Sequence, residues 1–128
     1  MKIAISATGR GLDSNIDAKF ERCKFFLILD IEKNSLLAFE NKTKDRPHEI
    51  GGTVGPLIAK EGIDTVITSD IGPSAFDIFK RFGIKIYHSE GIVEDAIRLL
   101  KDGKLSELTR PTVPRYSEWK KKNMEQGS

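Results

Sequence analysis

Hydrophobic and polar positions change their period part-way along this chain. Lys2 to Ser6 alternates around Ile3 and Ile5, a polar glycine-bearing loop follows, and the continuous run Phe25-Phe26-Leu27-Ile28-Leu29 reads as a buried strand. Glu32-Lys33-Asn34-Ser35 turns the chain back into Leu36-Leu37-Ala38-Phe39-Glu40, so this half predicts an antiparallel meander. From Glu49 the period becomes helical. Ile50, Val54, Leu57 and Ile58 share one face, Gly62 stops the helix, and Ile63-Asp64-Thr65-Val66-Ile67 reads as a strand. Ala75, Phe76, Phe79 and Phe82 repeat the stripe, Gly83 repeats the stop and Ile84-Lys85-Ile86-Tyr87 repeats the strand; Val93, Ala96, Ile97 and Leu100 mark a last helix closed by Gly103.

The expected strands lie near 2–7, 24–31, 36–42, 63–68 and 84–88, and the expected helices near 49–61, 73–82 and 92–102. Helical crossovers imply parallel pairing, and their right-handedness puts helices on the sheet faces. The pattern therefore predicts an α/β protein, a three-layer α/β/α domain around a five-stranded mixed sheet.

With 128 residues the chain is the size of one ordinary domain. Its net charge of +2 is the balance of 21 basic and 19 acidic residues, with basic excess around Lys120-Lys121-Lys122, and it demands no nucleic-acid partner. The apolar runs are far below membrane-spanning length and Met1-Lys2-Ile3 begins no secretory leader, so the expectation is a cytoplasmic protein without a membrane partner. Cys23, the single cysteine, excludes an internal disulfide and any self-contained four-thiolate zinc or iron-sulfur site. Metal ligation must be sparse, shared between subunits, or directed at a preassembled cluster.

The segment from Ile67 to Phe76 carries the clearest site signal. A β-branched run ends at Gly72-Pro73, which opens a helix; Gly72 has wide backbone freedom, Pro73 suits the first helical turn, and the N–H groups that follow predict a polar ligand pocket. After Leu108 the composition changes. Pro111, Pro114 and the Lys-rich stretch around Trp119 carry no core period, which divides the chain into a domain over 1–108 and a tail over 109–128. The tail is either an arm that binds a partner or caps a dimer, or a loosely attached terminus.

Several motifs occur together and in order: Met1-Lys2-Ile3-Ala4-Ile5, Gly11-Leu12-Asp13-Ser14, Phe20-Glu21-Arg22 before Phe25-Phe26-Leu27-Ile28, Gly62-Ile63-Asp64-Thr65-Val66-Ile67, Ile71-Gly72-Pro73-Ser74-Ala75 and Gly83-Ile84-Lys85-Ile86-Tyr87. In these the chain resembles the dinitrogenase iron-molybdenum cofactor biosynthesis family, the NifX-like domain, over roughly residues 1 to 108. The resemblance implies a ribonuclease-H-like fold with strand order 3-2-1-4-5 and strand 2 antiparallel. It also implies binding and carriage of an iron-sulfur or iron-molybdenum cluster or its precursor, without catalysis, among metallocofactor assembly or acceptor proteins. Many members have His where Lys19 precedes Phe20, Gly where Glu21 stands, and a small residue at the place of Cys23.

In the implied order strands 1 and 4 are neighbours whose connections leave in different directions, a switch point where open α/β sheets bind ligands. Thr8-Gly9-Arg10-Gly11 and Asp70-Ile71-Gly72-Pro73 meet there. Gly9, Gly11, Gly72 and Pro73 are thus candidate cofactor-binding positions, and Gly51, Gly52 and Gly55 either admit an anion or serve turns and packing. Arg10 and Arg22 are suited to an anionic cluster, although Arg22 can instead brace Asp13. Cys23 is either a soft ligand to one exposed iron or a small buried hydrophobe. His48 supplies a nitrogen ligand or is solvated after Pro47, and His88 after the last strand has the same two readings. A two-metal nuclease is disfavoured, since Ala4 and Ser6 stand where a central Asp is needed and Asp13, Asp30 and Asp70 do not converge in sequence. The expectation is a non-enzymatic carrier, monomer or weak homodimer, with a cofactor-free regulatory or scaffold module as the alternative.

Overall fold

The computed structural model describes residues 1–42 and 60–113. Its strands are β1 (Lys2–Ala7), β2 (Phe25–Asp30), β3 (Ser35–Glu40), β4 (Thr65–Thr68), β5 (Lys85–His88) and β6 (Ser106–Glu107), and its helices are α1 (Pro73–Arg81) and α2 (Val93–Lys101). They form one sheet in the order β3-β2-β1-β4-β5-β6. The first five strands follow the expected order, and β2 runs antiparallel to both its neighbours. The expected helix over 49–61 lies outside the described residues except for its last two positions, which form a turn.

The sheet has six strands rather than the expected five. β6 is two residues long, pairing Tyr87 with Glu107 and His88 with Ser106 in antiparallel register. The Leu108 N–H then donates to the Ile86 carbonyl at 2.7 Å. A pairing this short leaves no period in the sequence; it is dictated by the unpaired edge of β5, which takes up whatever backbone is brought alongside.

Local chemistry explains the boundaries. Between β2 and β3 the Asp30 carboxylate accepts the Lys33 N–H at 3.1 Å and Asn34 takes a left-handed φ of 51°, a conformation Asn tolerates. Gly83 and Gly103, at φ of 72° and 70°, end the two helices as their positions predict. β4 starts two residues later than expected because Asp64 turns its carboxylate to the Lys2 N–H and the Thr65 hydroxyl, at 3.1 and 2.7 Å.

Alternation along the central strands builds a core on each face. One face packs Ala4, Phe26, Ile28, Val66 and Ile86 under Ala75, Phe76 and Phe79 of α1; the other packs Ile3, Ile5, Leu27, Leu29 and Ile67 under Val93, Ala96 and Ile97 of α2. The described helices thus lie on opposite faces, giving the three layers. Phe20, fully buried, lies 5.1 Å from the Phe26 ring and 5.2 Å edge-on from Phe79, which ties the loop before β2 into the α1 core. None of the described helices is long and apolar enough to cross a membrane.

Candidate functional site

β1, β4 and β5 are parallel, so Ala7, Thr68 and His88 end at the same rim of the sheet. Chain leaving β1 turns toward antiparallel β2, whereas chain leaving β4 enters α1. This is the expected switch point, and its floor is polar: the Ser6 and Thr68 hydroxyls lie 2.9 Å apart and buried.

The loop after β1 is closed on itself. Thr8 N–H donates to the Asn15 carbonyl at 2.9 Å, Asn15 N–H donates to Thr8 Oγ1 at 3.2 Å, and Ser14 N–H donates to the Gly11 carbonyl at 3.1 Å. A Cβ on Gly9 would stand 2.6 Å from Ser14 Oγ, and one on Gly11 2.6 Å from Asp13 Oδ1. Both glycines therefore serve the closeness of this turn. The same loop caps α2, with the Leu12 and Ser14 carbonyls accepting the Glu94 and Val93 N–H groups at 3.0 and 2.9 Å. Two of the donors that a ligand could otherwise use at that helix start are already taken.

Arg10 leans from this loop over the Phe25 ring, its guanidinium carbon 4.7 Å from the centroid, which places a cation at the start of β2. Arg22 is exposed on the next loop, and no ion pair joins it to Asp13. Asp17 organises that second loop, its carboxylate accepting the Ala18 and Lys24 N–H groups at 2.9 and 3.0 Å.

Cys23 is fully buried among Phe20, Phe26 and their neighbours. Burial, and secondarily the negative charge of Asp17, pushes its thiol far above the ordinary cysteine range, so the protonated form prevails. That is the environment of the small buried hydrophobe, the second of its two readings, and not of an exposed thiolate. His48, Gly51, Gly52 and Gly55 lie outside the described residues. His88 is half-buried and its Nδ1 lies 2.9 Å from the Ser69 carbonyl, an acceptor only, so Nδ1 is the donor in this bond.

In the turn before α1, two of the N–H groups are taken up by the chain itself. Gly72 N–H donates to Glu21 Oε1 at 2.5 Å, and Ile71 N–H donates to Thr112 Oγ1 at 2.8 Å. Pro73 has no N–H to offer. Burial raises the Glu21 carboxyl above its ordinary value, against the lowering by its backbone hydrogen bonds. Glu21 and Thr112 escaped the sequence reading because they are 51 and 41 residues from their partners. The one available signal was Glu21 standing at the family's glycine position. Among the described residues no three His, Cys, Asp or Glu side chains gather as a metal site.

The profile described as dinitrogenase iron-molybdenum cofactor matches residues 1–103. The chain belongs to that family. An uncharacterized protein of Methanocaldococcus jannaschii, MJ0580, is 30% identical over 113 residues, covering 84% of this chain and 96% of the relative. Among solved structures, the apo form of the orange protein from Desulfovibrio gigas superposes with a TM-score of 0.81 at 27% identity, over 88% of this chain and 96% of that one. An M. jannaschii protein of the same kind, MJ0327, is 33% identical over 112 residues, covering 87% of this chain and 97% of the relative. Family membership points to an association with iron-molybdenum cofactor biosynthesis or binding, and to accessory proteins rather than enzymes.

Proposed function

We propose that this protein is a small carrier that holds a preassembled iron-sulfur or iron-molybdenum-type cluster, or its precursor, at the switch point between β1 and β4. The observation that carries this reading is Arg10 held over Phe25 at the rim where the parallel strands end. Such clusters are anionic, and a guanidinium braced on an aromatic ring is a pre-oriented donor beside them. Arg22, exposed on the adjoining loop, is the second cation, and Gly9 and Gly11 keep the first loop compact around Arg10. Terminal ligation, where it occurs, falls to His48 or to Nε2 of His88; Cys23 takes part only if its packing opens. A cluster captured mainly by charge is released readily, which suits delivery between assembly and acceptor proteins. On this reading the strand order is that of a ribonuclease-H-like motif used for binding, in a cytoplasmic monomer or weak homodimer with its binding domain over 1–108.

The test is anaerobic titration of the apoprotein with isolated cofactor or precursor cluster, followed by absorption and paramagnetic resonance. Wild type should take up cluster, and Arg10→Ala with Arg22→Ala should weaken uptake at least tenfold and reduce its salt dependence. Cys23→Ala should leave uptake unchanged, whereas His48→Ala and His88→Ala report on terminal ligation by altering the resonance spectrum. A folded wild type that takes up no cluster of several types would end the carrier reading.

A further inference from the structure

The start of α1 already holds a carboxyl group, and the chain supplies it. The Glu21 carboxylate accepts the Gly72 N–H at 2.5 Å, across 51 residues of sequence. It is held there by more than its own bond. Phe20 N–H donates to the Asp70 carbonyl at 2.8 Å and Asp70 N–H donates to the Ala18 carbonyl at 2.9 Å, which zips the segment before Glu21 against the β4–α1 turn. Asn41 Nδ2 donates to the Glu21 carbonyl at 3.0 Å and fixes its backbone from the end of β3. Packing at Gly72 is equally close: a Cβ there would stand 2.8 Å from Glu21 Oε1 and 3.5 Å from Val113 Cγ2. The remaining N–H of the turn, on Ile71, is held by Thr112.

We infer that Glu21 is a specificity determinant of the switch point: its carboxylate takes the Gly72 N–H at the N-terminal end of α1, so that an incoming anion is received by Arg10 and Arg22 on the β1 side and disfavoured at the β4–α1 turn. A carboxylate at a helix start is stabilised by the charge-assisted hydrogen bond and the helix dipole, and a second anion at the same N–H meets both a filled position and a like charge. Of the charged neighbours that act on Glu21, Lys19 favours the carboxylate and Asp70 opposes it. The inference rests on the carrier reading only for which anion is directed; the closure itself is a property of the apoprotein.

The test uses the full-length, 15N-labelled chain at constant pH with inorganic phosphate as the probe, reading the Gly72 and Ser74 amides. Wild type should show no saturable shift at these amides. Glu21→Gly should show one, and Glu21→Gln, which keeps the shape and removes the charge, should show a saturable shift at least threefold weaker in affinity than that of Glu21→Gly. Gly72→Ala dislodges the carboxylate from the other side and should raise hydrogen exchange in the segment around Glu21. Should Glu21→Gly not fold, Glu21→Gln and Gly72→Ala carry the test. A saturable phosphate response at Gly72 in wild type, or variants indistinguishable from it, overturns the inference. Cluster uptake is not read in this experiment, so failure of the carrier reading and failure of the Glu21 closure remain distinguishable.

Discussion

The hydroxyls of Ser6 and Thr68 meet at 2.9 Å beneath the switch point, joining the last turns of neighbouring parallel strands across 62 residues of sequence. Thr68 Oγ1 also lies 3.2 Å from the Asp70 carbonyl and Ser6 Oγ 3.5 Å from the Asp17 carbonyl; with one proton each, the two hydroxyls share these acceptors with their mutual bond, so one buried pair supports the start of both site loops. Thr68→Val keeps the shape and removes the bond. It should cost about 1–3 kcal/mol in urea unfolding, because the Ser6 hydroxyl is left buried with one long contact. In a double-mutant cycle with Ser6→Ala, the coupling should exceed about 0.5 kcal/mol; additive costs would show that the pair contributes nothing of its own.

Cys23 should be inert in the native protein. A fully buried thiol whose ionisation is suppressed reacts with a thiol-specific reagent only when the core opens, so labelling at pH 8 should follow denaturant concentration along the unfolding curve. Cys23→Ser places a hydroxyl among aromatic rings and should cost about 1–3 kcal/mol. Rapid stoichiometric labelling of folded protein would refute this account.

Stability should carry a signature of Glu21 between the ordinary glutamate range and its raised folded value. The native state binds the proton more tightly than the unfolded chain, so the stabilising contribution is complete below the unfolded value and is lost as pH rises through the folded one. Wild type minus Glu21→Gln, compared by thermal melts across this range, should therefore fall with increasing pH. A flat difference would mean that burial leaves the carboxyl unperturbed.

Thr112 fastens the described end of the chain to the site. Its hydroxyl accepts the Ile71 N–H at 2.8 Å and its own N–H donates to the Ile71 carbonyl at 2.9 Å. Because Ile71 is fully buried, Thr112→Ala should leave a backbone donor without its acceptor and cost about 1–3 kcal/mol by chemical denaturation. The exchange of the Ile71 amide with deuterium should accelerate in the same variant.

Periodicity alone located the first five strands and both helices of the described chain. Ile3 and Ile5 alternate, Phe25 to Leu29 runs unbroken, and the stripes Ala75-Phe76-Phe79 and Val93-Ala96-Ile97 fit one helical face each, because whether a position is buried within one strand or helix depends on neighbours two to four residues away; Phe82, which the spacing added to the first stripe, lies just past the end of α1 and is exposed. Gly83 and Gly103 mark helix ends for an equally local reason, the left-handed backbone they adopt. The two glycine loops follow β1 and β4, at the rim where the parallel strands end. What occupies that rim was decided in three dimensions. Glu21 reaches Gly72, Thr112 reaches Ile71, and β6 joins β5 only after the sheet has brought these backbones together. Cys23 is adjacent in sequence to an exposed Arg22 and yet fully buried, since the loop's turn toward Phe20 and Phe26, and not its composition, sets which side chain faces the core. Hydrogen bonds between distant segments need only one donor and one acceptor, which nearly every residue has, so they leave no pattern to read until the fold chooses among them.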